Sequence, residues 1–169
     1  MKQTISVLVE NHPGVLARIS GLFSARGFNI DSLAVGETED PTVSRMTIVV
    51  EGDERTLEQV KKQLNKIIDV ITVQDLTQKK FIDRELLLIK VKAATSKDRD
   101  EIIEIAESMG ANIADLGVQT ITVEGVGDTA KIDKLTELLK PFGVKEIVRT
   151  GKIAMAKDAK EPNEYKEEL

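Results

Sequence analysis

Seven residues near the start of the chain, Glu10-Asn11-His12-Pro13-Gly14-Val15-Leu16, combine features suited to holding a small zwitterion. They join a strand-like run to a helical pattern, with Pro13 at the first helical position and no side chain at the next. First-turn amides of an α-helix lack intrahelical acceptors, so the N–H groups of Gly14, Val15 and Leu16 point outward at the positive end of the helix dipole. A carboxylate binds well in such a place. Gly14 lets a ligand approach the backbone closely. Asn11 carries both an acceptor and donors, which suits an ammonium and a carboxylate held side by side. An α-amino acid presents those two groups. The same spacing also fits a plain helix start, with Asn11 or His12 as cap and Pro13 as first residue. Spacing alone leaves both readings open.

Asn29 is a second polar residue in an apolar setting, just after Gly27-Phe28. An amide there fits a solvent-facing edge; were that edge to pair with its counterpart, Asn29 would sit near the partner's helix start. Other constellations carry less. His12 is the single histidine, and no second ligand or base accompanies it in the sequence, so neither a metal centre nor catalysis by this chain is expected. Asp98, Asp100, Glu101 and Glu104 read as the solvated face of a helix, as do Lys61, Lys62 and Lys66. Gly125-Val126-Gly127-Asp128-Thr129-Ala130 reads G-x-G-x-x-A between a strand and a helix, with Glu146 about twenty residues on, as in a dinucleotide fingerprint. The equivalent turn in the first half, Glu51-Gly52-Asp53, has no second glycine and favours a turn followed by an Asp N-cap. Nucleotide binding through Gly125, Gly127 and Ala130 is the enzyme-like alternative.

These residues need elements to position them, and hydrophobic period supplies the elements. Strands are expected at 4–9, 28–35, 45–50 and 70–76. Helices open at Pro13 (stripe Val15, Leu16, Ile19, Leu22, Phe23) and at Asp53 (stripe Leu57, Val60, Leu64, Ile67, Ile68). Gly27 suits a left-handed helix end. The polar run 78–84 reads as a linker, after which the order β-α-β-β-α-β repeats. Its strands fall at 85–92, 112–116, 119–124 and 144–149, and its helices at 96–109 and 128–140. The fold class is α+β: two tandem ferredoxin-like βαββαβ domains, at 2–77 and 85–156, each with two helices on one face of an antiparallel sheet. The other face carries apolar residues too, which suggests a partner or self-association surface. Residues 157–169 read as a charged, disordered tail.

Composition sets outer limits. Of 169 residues 41% are hydrophobic but only 3% aromatic, so Ile, Leu and Val must build the cores. Cysteine is absent, which excludes disulfides and thiolate chemistry and fits a cytoplasmic protein. No apolar run reaches the ~20 residues of a membrane span. The net charge of −5 disfavours nucleic acid. RNA-binding domains share the βαββαβ order but need stacking aromatics on central strands, and 45–50 has none.

The stretch 5–77 resembles the ACT domain, an amino-acid-sensing module, on its entry Asn11-His12-Pro13-Gly14-Val15-Leu16. ISVLVENHPGVLARISGLFSARGFNIDSL, RMTIVV, RELLLIKV and RTGKIAMA extend the resemblance over about residues 2–157, to the small regulatory subunit of acetolactate synthase. That resemblance implies valine binding at an ACT dimer interface, for feedback inhibition in branched-chain amino acid biosynthesis. The backbone amides of Gly14, Val15 and Leu16 and the side chain of Asn11 would hold the ligand. Asn29 of the neighbouring protomer, with Ile30 beside it, would complete the site. It further implies a homodimer, activation of a catalytic large subunit, and thiamine diphosphate, Mg and FAD on that subunit alone. A stand-alone ACT-type regulator of another metabolic enzyme is the neighbouring alternative.

Overall fold

The computed structural model describes residues 1–157; the tail expected at 157–169 falls, beyond Lys157, outside the described residues. Two units form, Met1–Ile82 with the described residues from Lys152 onward, and Asp83–Gly151. The first contains β1 (Lys2–Glu10), α1 (Val15–Ala25), β2 (Ile30–Glu37), β3 (Val43–Glu51), α2 (Glu54–Leu64) and β4 (Val70–Asp75). Next come β5 (Phe81–Lys92), α3 (Ser96–Ser108), β6 (Asn112–Leu116), β7 (Thr120–Gly127), α4 (Thr129–Leu139) and β8 (Val144–Arg149). A short β9 (Ile153–Ala156) follows.

Both units are ferredoxin-like. The first sheet runs β2-β3-β1-β4 and the second β6-β7-β5-β8, with neighbouring strands antiparallel. Alternation decides which side meets the helices. In the first unit Ile5 pairs with Ile48 and Val7 with Met46. All four are buried with Val15, Ile19 and Phe23 of α1 and Leu57, Val60 and Leu64 of α2. α1 ends as its sequence suggests: Gly27 takes φ 71°, and the Phe28 N–H reaches back to the Phe23 carbonyl at 3.0 Å. The second core repeats the scheme with Leu87, Ile89, Val91, Ile102, Ile121, Val123, Ile132, Leu135 and Leu139. Glu85, buried, is gripped by Arg149 at 2.6 and 3.0 Å. That bond holds the guanidinium pKa above its ordinary value.

Three expectations change. The run 78–84 is only partly a connector, because strand structure already begins at Phe81. The segment β9 was not foreseen; it pairs with β5 as a fifth strand of the second sheet, while residues from Lys152 onward group with the first unit. It touches β1 and β3, the Ala154 N–H meets Thr47 Oγ1 at 3.4 Å, and the Lys157 N–H donates to the Lys80 carbonyl at 2.8 Å. Finally, the helix-free side of the first sheet is mixed rather than apolar throughout: Thr4, Ser6 and Thr47 lie there, buried, beside Val49 and Leu8. Strand alternation interleaves hydroxyls with the apolar residues expected on that face. The second sheet does expose Leu88, Val126 and Val148.

Ile48 is fully buried at the centre of the first sheet. Ile48→Ala should therefore lower unfolding free energy by about 2–5 kcal/mol, measured by urea titration, and a loss well under 1 kcal/mol would contradict this packing.

Candidate functional site

The junction between β1 and α1 differs from the sequence reading in one productive way. Pro13 lies in a turn before the helix, and Gly14 is the N-cap, at φ 90° and ψ −12°. Only glycine adopts that conformation without strain. No side chain caps α1, so neither Asn11 nor His12 serves as the helix cap. The other three α-helices are capped from within. Asp53 accepts from the Thr56 N–H, Thr95 from that of Asp98, and Asp128 from that of Lys131. The Thr56 bonds hold the Asp53 carboxyl below its ordinary pKa.

At α1 the Arg18 N–H closes the first turn on the Gly14 carbonyl at 3.0 Å, and the Val15 N–H leans toward the His12 carbonyl at 3.5 Å. No acceptor among the described residues meets the amides of Gly14 and Leu16. Of the three amides expected to be free, these two are, and that of Val15 is weakly engaged. The Val15 side chain is buried in the core, while that of Leu16 is exposed.

Asn11 is turned away from the helix. Its N–H donates to the Thr42 carbonyl at 2.7 Å. Its Nδ2 donates to the Pro41 carbonyl at 2.9 Å and to Glu37 Oε1 at 3.2 Å. Both side-chain donors are thus used on the β2–β3 loop. Asp40 shapes that loop by accepting from the Thr42 N–H and hydroxyl at 2.9 and 2.7 Å, bonds that hold its carboxyl below the ordinary range. Asn11 Oδ1 remains as an acceptor, with the Glu37 carboxylate beside it. Free amides on one side and oxygen acceptors on the other match a carboxylate and an ammonium respectively.

Asn29 and Ile30 lie elsewhere in the same protomer. Ile30 pairs with Val50, which pairs with Gln3; Glu37 pairs with Ser44, which pairs with Val9. Six strand residues therefore separate the start of β2 from the Asn11 end, about 20 Å. Asn29 is exposed, and its Nδ2 is 3.5 Å from Asp31 Oδ1. One chain does not bring these two residues to Gly14.

Three residues of the junction were missed in the sequence: Glu37, Arg18 and Asp69. Asp69 Oδ1 is 2.8 Å from His12 Nε2, and its Oδ2 is 2.5 Å from Arg18 Nη1. Its signal was a lone acid in the apolar run Ile67-Ile68-Asp69-Val70. Glu10 Oε2 also approaches His12 Nε2, at 3.2 Å. His12 is therefore not without neighbouring ligands, since one atom each from Glu10, His12 and Asp69 lies within 4.8 Å of the others. The set could hold a cation, although the Arg18 guanidinium on Asp69 opposes a second positive charge there.

The glycines of the dinucleotide-like segment have a packing role. Gly125 and Gly127 lie within β7. A Cβ at Gly125 would stand 2.6 Å from Leu135 Cδ2, and one at Gly127 2.5 Å from Lys131 Cδ. They let α4, which includes Ala130, pack tightly. Asp128 occupies the α4 amides and Glu146 pairs with Lys90 at 3.2 Å, so nothing there cradles a phosphate. The second unit lacks the α1 arrangement as well. Thr95 caps α3, and Arg99 ties the adjoining loops by donating to the carbonyls of Ala93, Gly117 and Val118 at 3.1, 2.9 and 3.3 Å.

Two family models match the chain. One described as an AHAS small subunit-like ACT domain covers residues 5–72, and one described as the small subunit of acetolactate synthase covers residues 84–158. The chain is 48% identical over 157 residues to the acetolactate synthase small subunit of Aquifex aeolicus, spanning 93% of this chain and 82% of that one. It is 51% identical over 154 residues to that of Mycobacterium leprae, spanning 91% and 90%. The crystal structure of the acetolactate synthase small subunit from Thermotoga maritima superposes with a TM-score of 0.84 at 38% identity, covering 93% of this chain and 98% of that one.

A Cβ at Gly14 would meet nothing closer than Arg18 Nη2 at 3.9 Å, so the cost of a side chain there is conformational. Gly14→Ala should lower stability by about 1–2 kcal/mol in urea unfolding, and an unchanged midpoint would contradict the left-handed cap.

Proposed function

The chain belongs to the acetolactate synthase small-subunit family, and from that premise we propose that it regulates a catalytic acetolactate synthase subunit by sensing valine. The observation that carries this reading is the uncapped start of α1, with the amides of Gly14 and Leu16 unmet. A valine carboxylate placed on them would leave its ammonium facing Asn11 Oδ1 and Glu37, and its side chain near exposed Leu16.

The geometry of β2 supports a second copy as the other half of the site. β2 is an edge strand, and β1 and β2 run in the same direction. Two β2 strands joined about a two-fold axis run antiparallel, so the start of one meets the end of the other. Asn29 and Ile30 of the second copy then approach Glu37 and Asn11 of the first. A ligand touching both copies favours one dimer geometry by its differential contacts. The catalytic subunit reads that geometry, giving feedback inhibition, and the small subunit also activates its partner. Thiamine diphosphate, Mg and FAD belong to the partner, where the reaction takes place. No helix among the described residues is long and apolar enough to cross a membrane; a cytoplasmic complex is the setting this reading requires. A regulator of some other enzyme is less favoured, because the second unit matches the acetolactate synthase small-subunit family as well.

Reconstitution with the catalytic subunit tests the proposal. Acetolactate formation should fall with added valine, and more steeply than with leucine, isoleucine or serine. Gly14→Asp, which puts a carboxylate against the ligand's own, and Asn29→His should each raise the valine needed for half-inhibition by about tenfold or more, a loss of roughly 1.4 kcal/mol. Unaltered valine sensitivity in both variants, with assembly intact by sedimentation, would reject the site.

A further inference from the structure

Asp69 is nearly buried, its side chain 5% exposed, at the junction of α2 and β4. It holds the β1–α1 connection from both sides. Its carbonyl accepts the Glu10 N–H at 2.8 Å, Oδ1 faces His12 Nε2, and Oδ2 faces Arg18 Nη1. Residues 10, 12 and 18 bracket Gly14. A buried carboxylate is tolerable only when paired, so its partners are held where it stands. The Pro13-Gly14 turn cannot shift without breaking those pairs.

The His12 ring meets only acceptors. Nε2 faces Asp69 Oδ1 at 2.8 Å and Glu10 Oε2 at 3.2 Å, and Nδ1 lies 3.5 Å from the Pro13 carbonyl. Glu37, on Asn11, is the remaining acid facing the loop.

We infer that Asp69 is a positioning residue for the effector loop, holding the Pro13-Gly14 turn through the Glu10 N–H, His12 and Arg18. This rests on the reading that an amino-acid carboxylate binds at Gly14.

Calorimetric titration of the full chain with valine, in buffer containing EDTA, tests this. Asp69→Asn and Arg18→Gln should each weaken binding by about tenfold, with Arg18→Lys recovering part of the loss. Should Asp69→Asn fail to fold, the exposed Arg18 variants still decide. Wild-type affinity in Arg18→Gln, or binding lost on adding EDTA, would each overturn the inference while leaving the effector site standing. A wild-type chain that binds no amino acid would end both readings.

Discussion

A helix that begins without a side chain over its first amides leaves a partial positive charge facing outward. In α1 this follows from Gly14 standing at φ 90° as the N-cap, where Ser, Thr or Asp would have closed the end. The loop around it is then fixed from two directions. Asn11 is bonded to the β2–β3 loop through Thr42, Pro41 and Glu37, and Asp69 holds His12 and Arg18 from below. The site gains its polarity from what is left over: amides of Gly14 and Leu16 on one side, the Asn11 Oδ1 and Glu37 acceptors on the other. Rigid partners on every flank mean that little order has to be gained when a ligand arrives.

The chain is a duplicated architecture in which one copy keeps this junction open. Where α1 has glycine, α3 has Thr95 as a self-sufficient cap. Where Asn11 joins neighbouring loops and keeps an oxygen free, Arg99 spends its donors on three backbone carbonyls. Both solutions stabilise a strand-to-helix turn, but the second consumes the groups a zwitterion would need. Among the described residues, the uncapped strand-to-helix junction is therefore confined to the first unit.

Much of the fold was legible in the sequence, because alternation and helical period report which face is buried. The order β-α-β-β-α-β, twice, follows from the stripes of α1, α2, α3 and α4 and from runs such as Ile5, Val7 and Val9. Chemical roles in the loop were legible only in part. Gly14, Asn11 and the free amides could be named, since a helix start is a local event. The position of Pro13 two residues before the helix was not, because a left-handed cap and an ordinary first turn share the same residues. Asp69 lies 51 positions from Arg18 and 57 from His12, and no local pattern reports pairs so far apart. β9 escaped for a similar reason: Ile153-Ala154-Met155-Ala156 has strand character only beside Lys80, Thr47 and the chain it returns to.

The central claim is that the first amides of α1 receive a carboxylate, and amide chemical shifts report that event directly. In a nitrogen–proton correlation spectrum of the labelled chain, added valine should move the Gly14 and Leu16 amide protons downfield, as new hydrogen bonds form, while Asp98 and Lys131 at the capped helices stay in place. Saturating valine that leaves the Gly14 and Leu16 resonances unmoved would contradict the account.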